Sequence, residues 1–173
     1  MNDWQISSKQ KTLLDSLFSV IDLTEVYRAL DVGSGRTSIF YLTDRFKDLK
    51  ITGIIYPEDE ERIQKLKDSV KNTNYELLKT DIKDFDKNED YDVILAHLFL
   101  GEAEKFAENK FEEVMNELFK IKTKYLVMVN LFRDKINYNL LLKKIAEVGN
   151  IIKVAYVKSE DGEDCIGLTI QFR

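Results

Sequence analysis

Apolar and polar residues along the chain follow two different spacings. Short apolar runs predict seven buried strands, at Tyr27–Val32, Lys50–Ile55, Tyr75–Lys79, Tyr91–His97, Tyr125–Asn130, Ile151–Lys158 and Cys165–Phe172. Apolar residues at three- and four-residue spacing predict amphipathic helices, at about Ser7–Asp22, Thr37–Phe46, Pro57–Val70, Glu102–Ile121 and Ile136–Val148. Helices that alternate with strands through short links predict a parallel sheet covered on both faces.

The end of the chain breaks this alternation. The strands at Ile151–Tyr156 and Ile166–Phe172 are joined by a short polar link that contains the turn signal Asp161-Gly162. So short a link predicts an antiparallel hairpin. The predicted fold class is therefore α/β: a Rossmann-like, mostly parallel sheet of seven strands with helices on both faces and a C-terminal antiparallel hairpin.

A glycine-rich turn follows the first predicted strand. The run Ala29–Val32 includes an acid, Asp31, and precedes Gly33, Ser34 and Gly35. A strand, a glycine turn and a helix in succession are typical of a nucleotide-binding α/β unit, in which the glycines let a ligand approach the backbone. A carboxylate here disfavours pyrophosphate and favours a ligand with an ammonium group. The turn predicts a pocket for a positively charged nucleoside, the alternative being a tight turn with no ligand.

This turn resembles the first motif of the class I S-adenosylmethionine-dependent methyltransferases: acid, any residue, glycine, any, glycine, any, glycine. Asp31, Gly33 and Gly35 match it, and Thr37 stands where the third glycine is usual. The resemblance implies that S-adenosylmethionine is the cofactor, that Asp31 lies near its ammonium group and that the two glycines line its methionine moiety. The terminal hairpin is also characteristic of this family, so the resemblance covers about residues 26–173.

The end of the second strand departs from the family pattern. Many members have an acid there that binds both ribose hydroxyls, and alignment puts Ile55 at that position. The ring of the next residue, Tyr56, is expected to pack on the adenine. Glu58 or Asp59 is the alternative ribose ligand, although acids that follow Pro57 also suit the positive end of a helix dipole. This departure puts cofactor affinity in question.

The ends of the later strands supply the remaining candidates. Asp81 and Ile82 resemble the family element in which an acid binds the adenine amino group and its neighbour packs on the ring. His97 ends the fourth strand, which in the family faces the transferred methyl group. A neutral imidazole there is expected to act as general base on a hydroxyl or amine, the alternative being a local structural role. Asn130, at the end of the fifth strand, is expected to cap the following loop, the alternative being that it orients a substrate.

Composition bounds the class of protein. A chain of 173 residues, 44% hydrophobic and 33% charged, predicts a single globular domain, with residues 1–25 as a helical cover and 26–173 as the core fold. The N-terminus lacks a signal-peptide pattern, and no apolar run is long enough to cross a bilayer. The single cysteine and single histidine disfavour a metal site of several such ligands. We expect a cytoplasmic protein with no membrane partner.

The charge pattern bears on the substrate. The net charge is −5, and acidic and basic residues are interleaved, whereas a nucleic-acid enzyme usually has a basic face. The main hypothesis is therefore methyl transfer from S-adenosylmethionine to a small molecule. The missing ribose acid and third glycine favour an alternative, a non-catalytic domain of the same fold that acts as a ligand sensor or partner subunit. A nicotinamide-dinucleotide enzyme is a third hypothesis, which Asp31 and the terminal hairpin disfavour.

Overall fold

The computed structural model describes residues 6–56, 60–70, 74–101, 110–132, 136–158 and 164–173. The strands are β1 (Arg28–Val32), β2 (Lys50–Ile55), β3 (Tyr75–Lys79), β4 (Tyr91–His97), β5 (Thr123–Leu131), β6 (Gly149–Val157) and β7 (Cys165–Phe172). The helices are α1 (Ser8–Phe18), α2 (Arg36–Arg45), α3 (Glu60–Ser69), α4 (Lys110–Phe119) and α5 (Tyr138–Val148), with a short 3₁₀ helix at Leu23–Glu25.

The described strands form one seven-stranded sheet in the order β3-β2-β1-β4-β5-β7-β6. All neighbouring pairs from β3 to β5 are parallel, and β7 is antiparallel to both β5 and β6. The predicted fold class, with its terminal antiparallel hairpin, is confirmed. The Asp161-Gly162 turn predicted between the last two strands lies outside the described residues.

Two hydrophobic clusters, one on each face of the sheet, hold the layers together. Successive strand residues point to opposite faces, so in β1 Ala29 packs in one cluster and Leu30 in the other. The Ala29 face is covered by α1, α2 and α3, and the Leu30 face by α4 and α5. Because both faces are buried, the central strands read as continuous apolar runs, and this is why the sequence predicts them well.

Most predicted elements lie where the sequence placed them, and the first helix is the clearest difference. It ends at Phe18 rather than continuing to Asp22, because the Ile21 amide donates to the Phe18 carbonyl in a tight turn (N···O 3.1 Å). The Asp22 carboxylate then accepts a hydrogen bond from the Thr24 amide (3.0 Å) and caps the 3₁₀ helix. A polar cap that competes with helix continuation explains the shorter helix.

Parts of two predicted helices lie outside the described residues, namely 57–59 before α3 and 102–109 before α4. Residues 99–101, which follow β4, are helical. Across the described ranges, no helix combines the length and the apolar character that a bilayer crossing requires.

Candidate functional site

A cavity of about 330 Å³ opens where β1, β2 and β4 end. This is the edge at which open α/β sheets bind ligands. Every predicted site residue except Asp31 lies on its wall: Gly33, Ser34, Gly35, Ile55, Tyr56, Asp81, Ile82 and His97. The structure also brings Arg36, Phe99 and Lys110 to the wall, and the sequence analysis did not single these out.

The glycine turn forms one side of the cavity. Gly33 has a left-handed backbone, with φ at 72°, and its amide and that of Ser34 both donate to the Ile54 carbonyl (3.0 and 2.9 Å). A Cβ atom on Gly33 would lie 2.6 Å from Cδ2 of Phe99. Both the backbone conformation and the close approach therefore require glycine here.

The motif acid lies behind this turn and is not on the cavity wall. Asp31 is 0% exposed. Its Oδ2 accepts hydrogen bonds from the Tyr75 hydroxyl (2.6 Å) and the Ser38 hydroxyl (2.7 Å). Its Oδ1 has no hydrogen-bond partner among the described residues. A buried carboxylate oxygen without a donor is costly, and such an atom at a ligand-binding edge calls for an explanation.

Tyr75 reaches Asp31 from two strands away because Gly53 lies between them. In the sheet register Gly53 of β2 is level with Asp31 of β1, and a Cβ atom on Gly53 would collide with the Tyr75 ring and hydroxyl. The Tyr75 oxygen also lies 3.0 Å from Oγ of Ser34, which donates to the Asp31 carbonyl (3.0 Å). The acid and the glycine turn thus share one hydrogen-bond network, and no short-range sequence pattern reveals it.

His97 lies on the same sheet face as Asp31, two residues further toward the strand end, since Asp31 is level with Leu95. Its Nε2 bonds to Oε1 of Gln10 in α1 (3.0 Å). The sequence analysis missed Gln10, because its spacing from Ser7 suggests a local role in starting the helix. The next residue, Leu98, has a left-handed φ of 58°, which is strained for leucine. His97 is therefore held by a tertiary contact just before a sharp change of chain direction.

Burial moves the pKa values of the two groups in opposite directions. Desolvation raises the pKa of Asp31 to about 6, although the hydrogen bonds from Tyr75 and Ser38 oppose the rise. Desolvation lowers the pKa of His97 to about 4, so its imidazole is neutral at pH 7. At that pH the buried site holds a carboxylate and a neutral base.

The signs of these shifts determine how each group affects stability. The Asp31 contribution to the free energy of unfolding is fully present below the unfolded pKa of 3.8 and is lost as pH rises through about 6. The His97 contribution is fully present above the unfolded value of 6.5 and is lost as pH falls to about 4. In the wild type the two dependences largely cancel across this window.

Substituting either group is expected to reveal how the other group makes the free energy of unfolding depend on pH. As pH falls from 6.5 to 4, Asp31→Asn should lose stability relative to wild type and His97→Gln should gain it, each on the order of 2–3 kcal/mol. Denaturant titrations of the three proteins across this range measure the effect. Stability differences from the wild type that do not change with pH would show that neither group is desolvated in the folded state.

The remaining predicted positions show local contacts at the cavity wall. Ile55 offers its backbone carbonyl to the Thr80 amide (3.0 Å), while its side chain has no hydrogen-bonding atom. Tyr56 is 41% exposed, and Nζ of Lys110 lies 4.8 Å from its ring centroid. Asp81 accepts from the Lys83 amide (3.0 Å), as an aspartate in a turn does. The alternative ribose ligands, Glu58 and Asp59, lie outside the described residues.

The expected capping role of Asn130 is wrong. Its side chain is buried, and neither its oxygen nor its nitrogen has a hydrogen-bond partner in the described part of the chain. Asn130 is also absent from the cavity wall. In the same described ranges, no group of three or more His, Cys, Asp and Glu residues is arranged to hold a metal ion.

Comparison with known proteins identifies the fold. No protein-family model matches the sequence, and no curated protein matches it. Solved structures do match, among them the N-methyltransferase NodS from Bradyrhizobium japonicum WM9, in complex with S-adenosyl-L-homocysteine. The TM-score is 0.72 at 16% identity, over 95% of this chain and 85% of that one. The chain therefore has the class I methyltransferase fold, as its motif and hairpin predict.

Other matching structures are methyltransferases named for different kinds of methyl acceptor. A Burkholderia thailandensis 1,6-didemethyltoxoflavin-N1-methyltransferase, with bound 1,6-didemethyltoxoflavin and S-adenosylhomocysteine, matches with a TM-score of 0.70 and 11% identity, over 99% of this chain and 81% of that one. An rRNA methylase from Escherichia coli matches with a TM-score of 0.67 and 16% identity, over 95% of this chain and 64% of that one. The fold is thus compatible with both small-molecule and RNA acceptors.

Proposed function

We propose that the chain binds S-adenosylmethionine in this cavity and transfers its methyl group to a small-molecule acceptor. The observation that carries the proposal is the buried Oδ1 of Asp31, which lacks a hydrogen-bond partner among the described residues beneath the glycine turn. An ammonium group would supply the missing donor and the opposite charge. The glycine turn supports the proposal as well, because Gly33 and Gly35 line the cavity with no side chain beyond Cα.

The proposed cofactor contacts follow the family motifs onto matching residues. Asp31 would accept from the methionine ammonium group, and the turn from Gly33 to Gly35 would line the methionine moiety. Tyr56 and Ile82 would pack against the adenine, and Asp81 would accept from its amino group. Each of these except Asp31 is on the cavity wall.

The chemistry divides between cofactor and protein. S-adenosylmethionine, when bound, would supply an activated methyl group on its sulfonium. The protein holds the two reactants in line, which provides a large part of the rate enhancement. His97 is proposed to accept the proton that a hydroxyl or amine acceptor loses on methylation. Its neutral imidazole, with a pKa lowered to about 4 by burial, is available for this at pH 7.

Charge supports a small molecule over nucleic acid as the acceptor. The net charge is −5 and the sequence has no long basic run, whereas contact with a phosphate backbone needs clustered Lys and Arg. Duplex RNA retained at about 150 mM salt, with affinity falling steeply as salt rises, would reverse this preference.

One observation favours a second function, that of a non-catalytic ligand sensor or partner subunit. The position expected to bind the ribose hydroxyls is Ile55, whose apolar side chain cannot accept a hydrogen bond. Cofactor binding that persists without methyl transfer in a broad acceptor screen would support this alternative over the enzyme.

Ligand binding is expected to stabilise the protein. S-adenosylmethionine or S-adenosylhomocysteine at 100 times its dissociation constant should raise the free energy of unfolding by about 2.7 kcal/mol, because it binds the folded state alone. Thermal shift and calorimetric titration measure this, with NAD as the control ligand. Stabilisation by NAD and not by the methionine nucleosides would contradict the proposal.

A further inference from the structure

The side chain of Gln10 connects three elements around His97. Its Oε1 lies 3.0 Å from Nε2 of His97 on β4, and its Nε2 donates to Sγ of Cys165 on β7 (3.2 Å). Cys165 is fully buried, and its sulfur accepts the hydrogen bond from the Gln10 amide nitrogen. The amide oxygen faces the histidine.

Helix α1 is fixed at both ends, so Gln10 has a defined position. At the start, the Gln10 amide donates to Oγ of Ser7 (3.2 Å). At the end, the buried Thr169 hydroxyl donates to the Leu17 carbonyl (2.7 Å). A glutamine three residues after an N-cap serine often bonds back to the cap's own amide. Here the Gln10 side chain contacts His97 and Cys165 across the fold.

The contact determines which imidazole nitrogen carries the proton. An amide oxygen only accepts hydrogen bonds, so Nε2 of His97 must donate to it. In a neutral imidazole the other nitrogen, Nδ1, then holds a lone pair. Because His97 also lines the cavity, Nδ1 is the nitrogen left to accept a proton from a ligand there.

We propose that Gln10 is a positioning residue that holds His97 in the Nε2–H tautomer and so makes Nδ1 the proton acceptor of the reaction. The inference rests on the proposed role of His97 as general base. It also restricts the acceptor to atoms that carry a proton, such as a hydroxyl or an amine N–H. The proton leaves the methylated atom and forms a bond to Nδ1 as the thioether departs.

Nitrogen-15 NMR of the tag-free protein tests the tautomer directly, because His97 is the only histidine and gives a single pair of imidazole nitrogen signals. Wild type should show a protonated Nε2 and a bare Nδ1. Gln10→Glu, which also accepts, should keep that tautomer. Gln10→Lys, which only donates, should reverse it, and Gln10→Ala should give a mixture.

The turnover number of each variant should depend on its tautomer. Gln10→Glu should keep the wild-type turnover number. Gln10→Lys should lower it by about 10²–10⁴, the cost of losing a general base, and Gln10→Ala should lower it by less. Affinity for S-adenosylhomocysteine should stay within about twofold in all three. The matched control is Gln64→Ala. The Gln64 side-chain amide donates to Asp68 on the exposed side of α3 (2.7 Å), so its loss should change neither readout.

Two outcomes would overturn the inference, and they separate its failure from that of the proposed function. An unchanged tautomer in Gln10→Ala and Gln10→Lys would show that Gln10 does not position the imidazole, whatever the enzyme does. A tautomer that reverses without any change in turnover would show that Nδ1 is not the base. If Gln10→Lys does not fold, Gln10→Ala and Gln10→Glu still give the comparison.

Discussion

Replacing His97 with alanine is expected to lower turnover on the true acceptor by about 10²–10⁴, the usual cost of losing a general base. Affinity for S-adenosylhomocysteine should stay within about twofold, because the imidazole is proposed to contact the acceptor and not the cofactor. Steady-state kinetics give the first quantity and calorimetric titration the second. A loss confined to KM would indicate acceptor binding in place of proton transfer.

The control for His97→Ala is a polar substitution at the same edge of the sheet. Asn130 lies near the end of β5, the strand next to β4. Its side chain is buried, lies off the cavity wall and has no hydrogen-bond partner among the described residues. Asn130→Ala should therefore leave turnover unchanged and cost little stability, since no hydrogen bond is lost. Unchanged turnover in His97→Ala itself would return that residue to a structural role.

Replacing Asp31 with asparagine is expected to weaken S-adenosylhomocysteine binding by about 10- to 150-fold, which corresponds to the 1.5–3 kcal/mol of a hydrogen bond to a charged group. Stability without ligand should change by less than about 1 kcal/mol. Asparagine removes a carboxylate whose pKa burial has raised to about 6, which favours folding at pH 7. Asparagine also buries an amide group at the position of Oδ1, which has no hydrogen-bond partner among the described residues, and this disfavours folding. The stabilising and destabilising effects offset each other.

The hydroxyl of Tyr75 provides a second test of the same network. Tyr75→Phe should lower the free energy of unfolding by about 1–3 kcal/mol and weaken ligand binding, because buried Asp31 loses a donor and its pKa rises further. Tyr41→Phe makes the same chemical change where the hydroxyl meets the part-exposed Asp15 (3.0 Å), away from the cavity. Equal effects of both variants on ligand affinity would contradict the role of Asp31.

Together these variants separate an enzyme from a sensor. A catalytic protein loses turnover in His97→Ala and ligand affinity in Asp31→Asn. A ligand sensor also loses ligand affinity in Asp31→Asn, but it has no methyl-transfer activity that His97→Ala could lower. The absent ribose acid at Ile55 affects affinity in both cases, so it does not discriminate between them.

The sequence alone determined the order of the elements and the edge at which the cavity lies. Strands buried on both faces are continuous apolar runs, and glycine turns are local, so Lys50–Ile55 and the turn at Gly33 are readable from neighbours in the chain. The short link before Cys165 likewise required a hairpin. These features depend on contacts between residues close in sequence.

Only the tertiary structure decided what the polar side chains contact. Asp31 bonds to Tyr75, 44 residues away, through space left by Gly53, and His97 bonds to Gln10, 87 residues away. Such pairs depend on strand register and helix docking, which bring distant residues together and leave no periodic signal in the sequence. Their burial then sets the pKa directions on which the proposed chemistry depends.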